Sequence, residues 1–324
     1  MMSISPSSNA SQPALPGVTR LAPSPTGALH LGNARTFIAN WAIGRQRGWR
    51  IVMRMEDLDG PRIKPESAAE ALELLHWLGI DWDGDVLTQS HDLEPYRHAM
   101  RTLCAAGRTY PCTLTRTEIE AVASAPQDGT AAPPGIPRPD DAGRAVDFRE
   151  EDHNYRLLVD DTAVELLDRF AGPHRIDLRE AGGDFVVWTR RGTPAYQLSV
   201  VVDDLRQRVT DVVRGDDLLD SAARQTLLYN ALGGTPPRWW HLPLVVGPDG
   251  RRLAKRHGDT RLSFYRDAGA APERVLGLLA VWCGCIPSPR EITVQEFLET
   301  FDPAGIPRSP ITFTDKDHAW LSGS

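Results

Sequence analysis

The chain is poor in cysteine. Cys104, Cys112, Cys283 and Cys285 are the only four in 324 residues, too few and too unevenly spaced for a disulfide framework. That excludes the small stapled scaffolds of secreted proteins and makes a reducing cytoplasm the simplest compartment to expect. Long apolar runs are missing as well. The longest, Val275 to Ile286, is well short of the roughly 20 residues a membrane-crossing helix needs and contains Gly277 and Gly284, so it reads as a core helix with no membrane role. The first residues, Met1 to Gly17, lack the basic flank and apolar stretch of a secretion signal and, being rich in Ser, Asn and Pro, read as a flexible tail over 1–17. Nor is there an excess of positive charge: the net charge is −7 and the isoelectric point about 5.7. A general electrostatic grip on nucleic acid is therefore excluded, and any RNA contact must be focused in a local basic groove. No repeat of solenoid period is present.

What is present is core-forming. At 41% hydrophobic residues the chain can fold as one large domain, or one with an insert, and a monomer is expected. Val18 to Leu21 is a short β-prone run, the cluster of Pro23, Pro25 and Gly27 after it demands a loop, and helical spacing follows from about Asn33 to Gln46. Arg50 to Met55 alternates apolar with basic residues, and Leu72, Leu75 and Leu78 share one face of a further helix. This βαβα order predicts an α/β fold with a parallel sheet.

Farther along, 125–145 is dense in Pro, Gly and Asp and reads as a flexible surface segment. Asn154 to Val159, Phe185 to Thr189, Tyr196 to Val202 and Val209 to Val213 are rich in Val or aromatics and read as strands. Ser221 to Leu232 has helical spacing and stops at Gly233, and the Pro248-Asp249-Gly250 turn leads into Arg251, Arg252, Lys255 and Arg256.

Two stretches carry chemistry. Arg20-Leu21-Ala22-Pro23-Ser24-Pro25-Thr26-Gly27-Ala28-Leu29-His30-Leu31-Gly32-Asn33 places small residues and an imidazole between a strand and a helix start, where backbone N–H groups and the helix dipole favour a phosphate. The basic loop around Lys255 is the second. Each alone reads most simply as a turn or a solvated face. Together they resemble the class I aminoacyl-tRNA synthetases: Arg20 to Asn33 is similar to the HIGH element in its glutamate-specific form, and Arg252-Leu253-Ala254-Lys255-Arg256 to the KMSKS loop. Arg54 to Asp59, Pro194 to Asp204 and Val212 to Leu219 resemble segments of the same family in the same order. In the loop, Arg252 stands where the family often has Lys and Ala254 where Ser is usual, while Lys255 is kept.

The resemblance implies a Rossmann-type parallel sheet in two halves, 18–103 and 191–262. Between them lies an acceptor-side subdomain at 104–190, containing a degenerate zinc module and a flexible 125–150 segment, and a helical extension follows at 263–324. It further implies a glutamate pocket of Arg20, Ser24, Glu56, Tyr196 and Arg214. Glu56 would meet the α-ammonium and the arginines the two carboxylates, with the assignment between them open. ATP would be bound by His30, Gly32, Asn33 and Lys255, with His30 and Lys255 catalytic and Mg²⁺ bridging phosphate oxygens. The family often carries a zinc module with a Cys-x-Cys pair near Tyr110-Pro111, but here Cys112 is followed by Thr113 and Leu114, so zinc is expected to be absent. Cys283-Gly284-Cys285 reads as helix packing rather than a substitute.

The chain stops where a full glutamyl-tRNA synthetase would continue into an anticodon-binding part. This and Asp216 to Gln225 resemble the glutamyl-queuosine tRNA(Asp) synthetase subfamily. The partners that this implies are L-glutamate, ATP and tRNA(Asp) containing queuosine, with the glutamate transferred to the modified wobble base. Alternatives are charging of tRNA(Glu) and transfer of activated glutamate to a small molecule or carrier protein.

Overall fold

The structure, a computed structural model, describes residues 16–25, 28–58, 65–113, 138–151, 153–160, 163–251, 253 and 259–323. Strand β1 (Val18–Leu21) leads into α1 (Leu31–Gln46), β2 (Arg50–Met55), α2 (Pro65–Trp77) and the short β3 (Leu87–Thr88). The three strands are parallel, with Val18 opposite Arg50 and Arg54 opposite Leu87. Helix α3 (Glu94–Ala105) then carries the chain into an antiparallel insert. Its four-stranded sheet orders β4 (Thr109–Cys112), β5 (Asn154–Leu157), β8 (Phe185–Thr189) and β9 (Thr193–Pro194), and its hairpin pairs β6 (Ala163–Asp168) with β7 (Gly172–Asp177). The parallel sheet resumes after α4 (Tyr196–Gln207) with β10 (Asp211–Gly215), α5 (Leu219–Ala231) and β11 (Arg238–Leu242). Thr210 N–H donates to Val18 O at 2.8 Å, setting β10 beside β1, so the strand order is β3-β2-β1-β10-β11.

Period-2 alternation along these strands feeds two cores, one on each face. Ile51 and Met53 join one core while Val52 joins the other, and Val213 and Val212 divide likewise. The first core contains α1 and α2 together with the C-terminal helices α6 (Leu262–Asp267), α7 (Pro272–Trp282), α8 (Val294–Thr300) and α9 (Asp315–Ser322). This extension is fastened to the segment that follows β11 by a parallel pairing of β12 (Val245–Val246) with β13 (Ile311–Thr312). The second core contains α3, α4, α5 and the insert.

Three sequence expectations change. Tyr196 to Val202, read as a strand, is the start of α4: residues 198–204 are all buried, so apolar periodicity cannot identify the element, and burial overrides the β preference of valine. Cys283-Gly284-Cys285 lies beyond the end of α7, not on it. Gly284 has φ +74°, and a Cβ there would stand 2.1 Å from Gly305 O, so the turn requires glycine. The expected flexible segment lies outside the described residues over 125–137, but 138–150 is tethered. Arg138 donates to both oxygens of Asp184, and Phe148 packs edge-on against Trp188 at 5.0 Å.

Cys112, the remaining residue of the expected zinc module, is buried in a small apolar cluster with Tyr110 and Leu158, and Leu114 onward to 137 lies outside the described residues. Among the described residues no group of three or more His, Cys, Asp or Glu side chains is disposed to hold a metal, and no helix is long and apolar enough to cross a membrane.

Candidate active site

From β1 the chain turns one way to β2, and from β10 the other way to β11, so the carboxyl ends of β1 and β10 flank the switch point where open α/β sheets bind ligands. A cavity of about 450 Å³ opens there, within the size range of small-molecule sites. Its wall gathers Arg20, Ser24, His30, Gly32, Asn33, Glu56, Tyr196 and Arg214, every expected site residue except Lys255. Lys255 lies outside the described residues; its neighbour Leu253 is buried, and Thr260 O on the far side of that stretch accepts from Leu31 N at 2.9 Å.

One wall is built by the start of α1. His30 caps this helix: its Nδ1 accepts from Asn33 N–H at 3.3 Å, and the Asn33 side chain accepts from His30 N–H at 3.3 Å. In the neutral ring this assigns the proton to Nε2, making that edge the donor. A Cβ on Gly32 would meet the His30 ring at 3.1 Å, so glycine keeps the helix start open.

The opposite wall is cationic. Arg20 is 6% exposed, yet among the described residues its one hydrogen bond runs from Nη1 to Val213 O at 3.4 Å; its buried Nε has no hydrogen-bond partner there and forms a longer ion pair with Asp204 Oδ1 at 3.6 Å. Arg214 is 5% exposed and donates from Nε to His241 Nε2 at 3.0 Å, from Nη1 to Gln225 Oε1 at 2.8 Å and from Nη2 to Leu218 O at 3.2 Å. Three of its five N–H groups are thus used, and none by a carboxylate. Burial, with Arg20 nearby, pulls the Arg214 pKa below the ordinary arginine value. Two under-satisfied guanidiniums facing one cavity call for an anionic ligand.

Glu56 adds a carboxylate to the cavity wall near them. Burial pushes its pKa up, against the pull of Arg54 and Arg20. Arg54 is fully buried beneath it, donating to Glu56 Oε1 at 3.1 Å and to Asp204 Oδ1 at 2.7 Å, and Asp204 also accepts from Tyr229 at 3.1 Å. Although burial works against its charge, Asp204 and Glu56 raise the Arg54 pKa overall. Tyr196 also lines the cavity and is 42% exposed.

The sequence reading assigns no role to Arg54, Asp204, Gln225, His241 or Asp168. The signal it could have used is a charged or imidazole side chain set into an apolar strand, as Arg54 is in Ile-Val-Met-Arg-Met and His241 in Trp-Trp-His-Leu. Such a group is tolerated only where a partner waits.

Residues 18–320 match the family model described as tRNA synthetases class I (E and Q), catalytic domain. A curated protein of Symbiobacterium thermophilum named glutamyl-Q tRNA(Asp) synthetase is 44% identical over 94% of this chain and 98% of its own length. A glutamate–tRNA ligase of Azorhizobium caulinodans is 38% identical over 91% of this chain but 63% of its own. The crystal structure of a glutamate tRNA ligase from Elizabethkingia meningosepticum, in complex with its amino acid, shares the fold with a TM-score of 0.77 at 23% identity, covering 94% of this chain and 68% of that one.

Proposed function

Because the chain belongs to the class I tRNA synthetases for glutamate and glutamine, we propose that it activates L-glutamate with ATP and transfers it to the queuosine base at the wobble position of tRNA(Asp). The coarser activity, ligation of the glutamate–tRNA type, follows from the family and its relatives. The observation that carries the substrate assignment is the convergence of Arg20, Arg214 and Glu56 on one cavity whose other wall is a capped helix start. A dicarboxylic amino acid presents two anions and a cation, and this wall offers two cations and an anion. A neutral amino acid would leave one guanidinium buried without a counter-ion.

Activation forms a bond from a glutamate α-carboxylate oxygen to the α-phosphorus of ATP and breaks the bond to pyrophosphate, which departs with its charge. The protein needs positioning and fixed positive potential rather than a covalent intermediate. Arg20 and Arg214 hold the carboxylates, Glu56 holds the ammonium, and the Nε2–H edge of His30 and the Gly32 N–H receive phosphate oxygens. Mg²⁺ enters with ATP, and Asp217 is a further carboxylate on the cavity wall. Lys255, two residues from buried Leu253, stabilises the leaving pyrophosphate. Lys255→Ala is expected to remove most glutamate-dependent pyrophosphate exchange while glutamate binding changes little; an unchanged exchange rate refutes the role.

In the second step a hydroxyl of the queuosine cyclopentenediol attacks the activated carbonyl and AMP leaves. The relative matched over nearly its whole length favours this acceptor over a tRNA 3′ end. The test incubates the protein with labelled glutamate, ATP and total tRNA, then digests the RNA and identifies the labelled nucleoside by mass. Glutamyl-queuosine from tRNA(Asp) supports the proposal; a glutamyl ester on the terminal adenosine of tRNA(Glu), or no RNA product, overturns it.

A further inference from the structure

Arg214 is buried and positively charged, forms no ion pair with a carboxylate among the described residues, and is held differently from Arg54. Its Nε–H donates to His241 Nε2 at 3.0 Å. An arginine N–H can only donate, so that imidazole nitrogen must accept, and the ring proton must sit on Nδ1. Nδ1 lies 2.6 Å from Asp168 Oδ2. Asp168, at the end of the inserted hairpin strand β6, is itself fixed by Phe170 N–H at 2.8 Å and Ala171 N–H at 2.7 Å. His241 is fully buried and Asp168 only 3% exposed, so water does not substitute for either contact. Burial lowers the His241 pKa despite Asp168, which agrees with a neutral ring.

We propose that Asp168 and His241 are positioning residues for the amino-acid pocket: they fix the Arg214 guanidinium through a neutral imidazole of one tautomer, so that its charge is oriented but left for the carboxylate of the substrate. This rests on the reading of Arg214 as a carboxylate receptor. A carboxylate placed directly on the guanidinium would orient the group equally well but neutralise it, as Asp204 does on Nη1 of Arg54. The imidazole moves the anchoring anion one residue away. With Arg214 on the side-chain carboxylate, the same device favours glutamate over glutamine, because a fully charged guanidinium prefers a carboxylate to an amide, whose NH₂ offers only donors.

Three variants separate the links. Asp168→Asn keeps the shape but can donate to Nδ1, turning the ring so that an Nε2–H faces the Nε–H of Arg214. His241→Asn retains a donor toward Asp168 and loses the acceptor at Arg214, whereas His241→Gln offers an acceptor to Arg214 and loses the bond to Asp168. In glutamate-dependent pyrophosphate exchange, Asp168→Asn and His241→Asn are expected to raise the KM for glutamate about ten- to hundredfold, the range for a hydrogen bond to a charged group. The KM for ATP should stay within about threefold, the preference for glutamate over glutamine should fall, and His241→Gln should raise the glutamate KM least.

Equal loss of both KM values, or equal effects of the two His241 variants, overturns the positioning role. Should the variants fail to fold, nitrogen NMR of the native protein still decides: an Nδ1–H tautomer of His241 at neutral pH supports the proposal, and an Nε2–H or doubly protonated ring overturns it. Arg214→Ala tests the underlying reading separately. If it leaves the glutamate KM unchanged, the pocket assignment itself fails; if it raises that KM while Asp168→Asn and His241→Asn do not, only the positioning inference fails.

Discussion

Arg54 and Arg214 are buried to a similar degree and differ in what satisfies them. Arg54 has Asp204 at 2.7 Å and Glu56 at 3.1 Å, whereas Arg214 has neutral acceptors alone. Removing one member of a buried pair strands the other, so Asp204→Ala should destabilise the protein by about 3–5 kcal/mol, read from urea unfolding. A loss below about 1 kcal/mol would contradict the pairing. Glu56 supplies a pH signature. With its pKa raised by burial, it is partly protonated at a pH where an ordinary glutamate, at 4.5, is charged. Without substrate, the protonated form is the favoured folded form, so this group's contribution to stability is present below pH 4.5 and is lost as pH rises through the raised value. Binding the substrate ammonium requires the charged form, so glutamate affinity should weaken as pH falls into that window. Glu56→Gln should bind weakly with a flattened profile. A native KM for glutamate that does not change across that window would contradict the role. Arg20, Glu56 and Arg214 were legible in the sequence because they stand in recognisable ordered blocks. His241 and Asp168 were not, because they lie 73 residues apart and meet only through the pairing of the inserted hairpin with β11.

At the scale of elements, β1, α1, β2 and α2 followed directly from hydrophobic spacing, since each has one clear period. Helix α4 did not, being buried on all sides. The reading also assigned nothing to α3, although Tyr96, Met100 and Leu103 lie at helical spacing and all are buried. Close approach of backbones is the other feature that periodicity misses. Gly277 in α7 faces Arg290, and a Cβ there would stand 1.9 Å from the Arg290 carbonyl oxygen. Backbone cannot swing away as a side chain can, so Gly277→Ala should cost about 3 kcal/mol despite the better helix propensity of alanine. Thermal unfolding reads this directly: a melting temperature equal to or above that of the native protein would contradict the packing.

Across the whole molecule, the sheet divides its side chains between two cores, and the C-terminal helices share one of them with α1 and α2. The extension therefore buttresses the helix whose start forms one wall of the cavity: buried Arg35 of α1 donates to Pro243 O at 2.6 Å and to Trp282 O, at the end of α7, at 3.5 Å. The fold class was readable from the order of elements because βαβ units admit few arrangements. The insert was not readable in detail, since its hairpins meet distant strands. The net charge of −7 coexists with a cationic cavity because that charge is local and buried. The account's central claim is that this cavity holds glutamate beside ATP, and a crystal structure with glutamate and a non-hydrolysable ATP analogue tests it most directly. The account predicts the two carboxylates on Arg20 and Arg214, the ammonium on Glu56 and the phosphates against His30 and Gly32. Glutamate bound elsewhere, or seated with its ammonium turned away from Glu56, would contradict it.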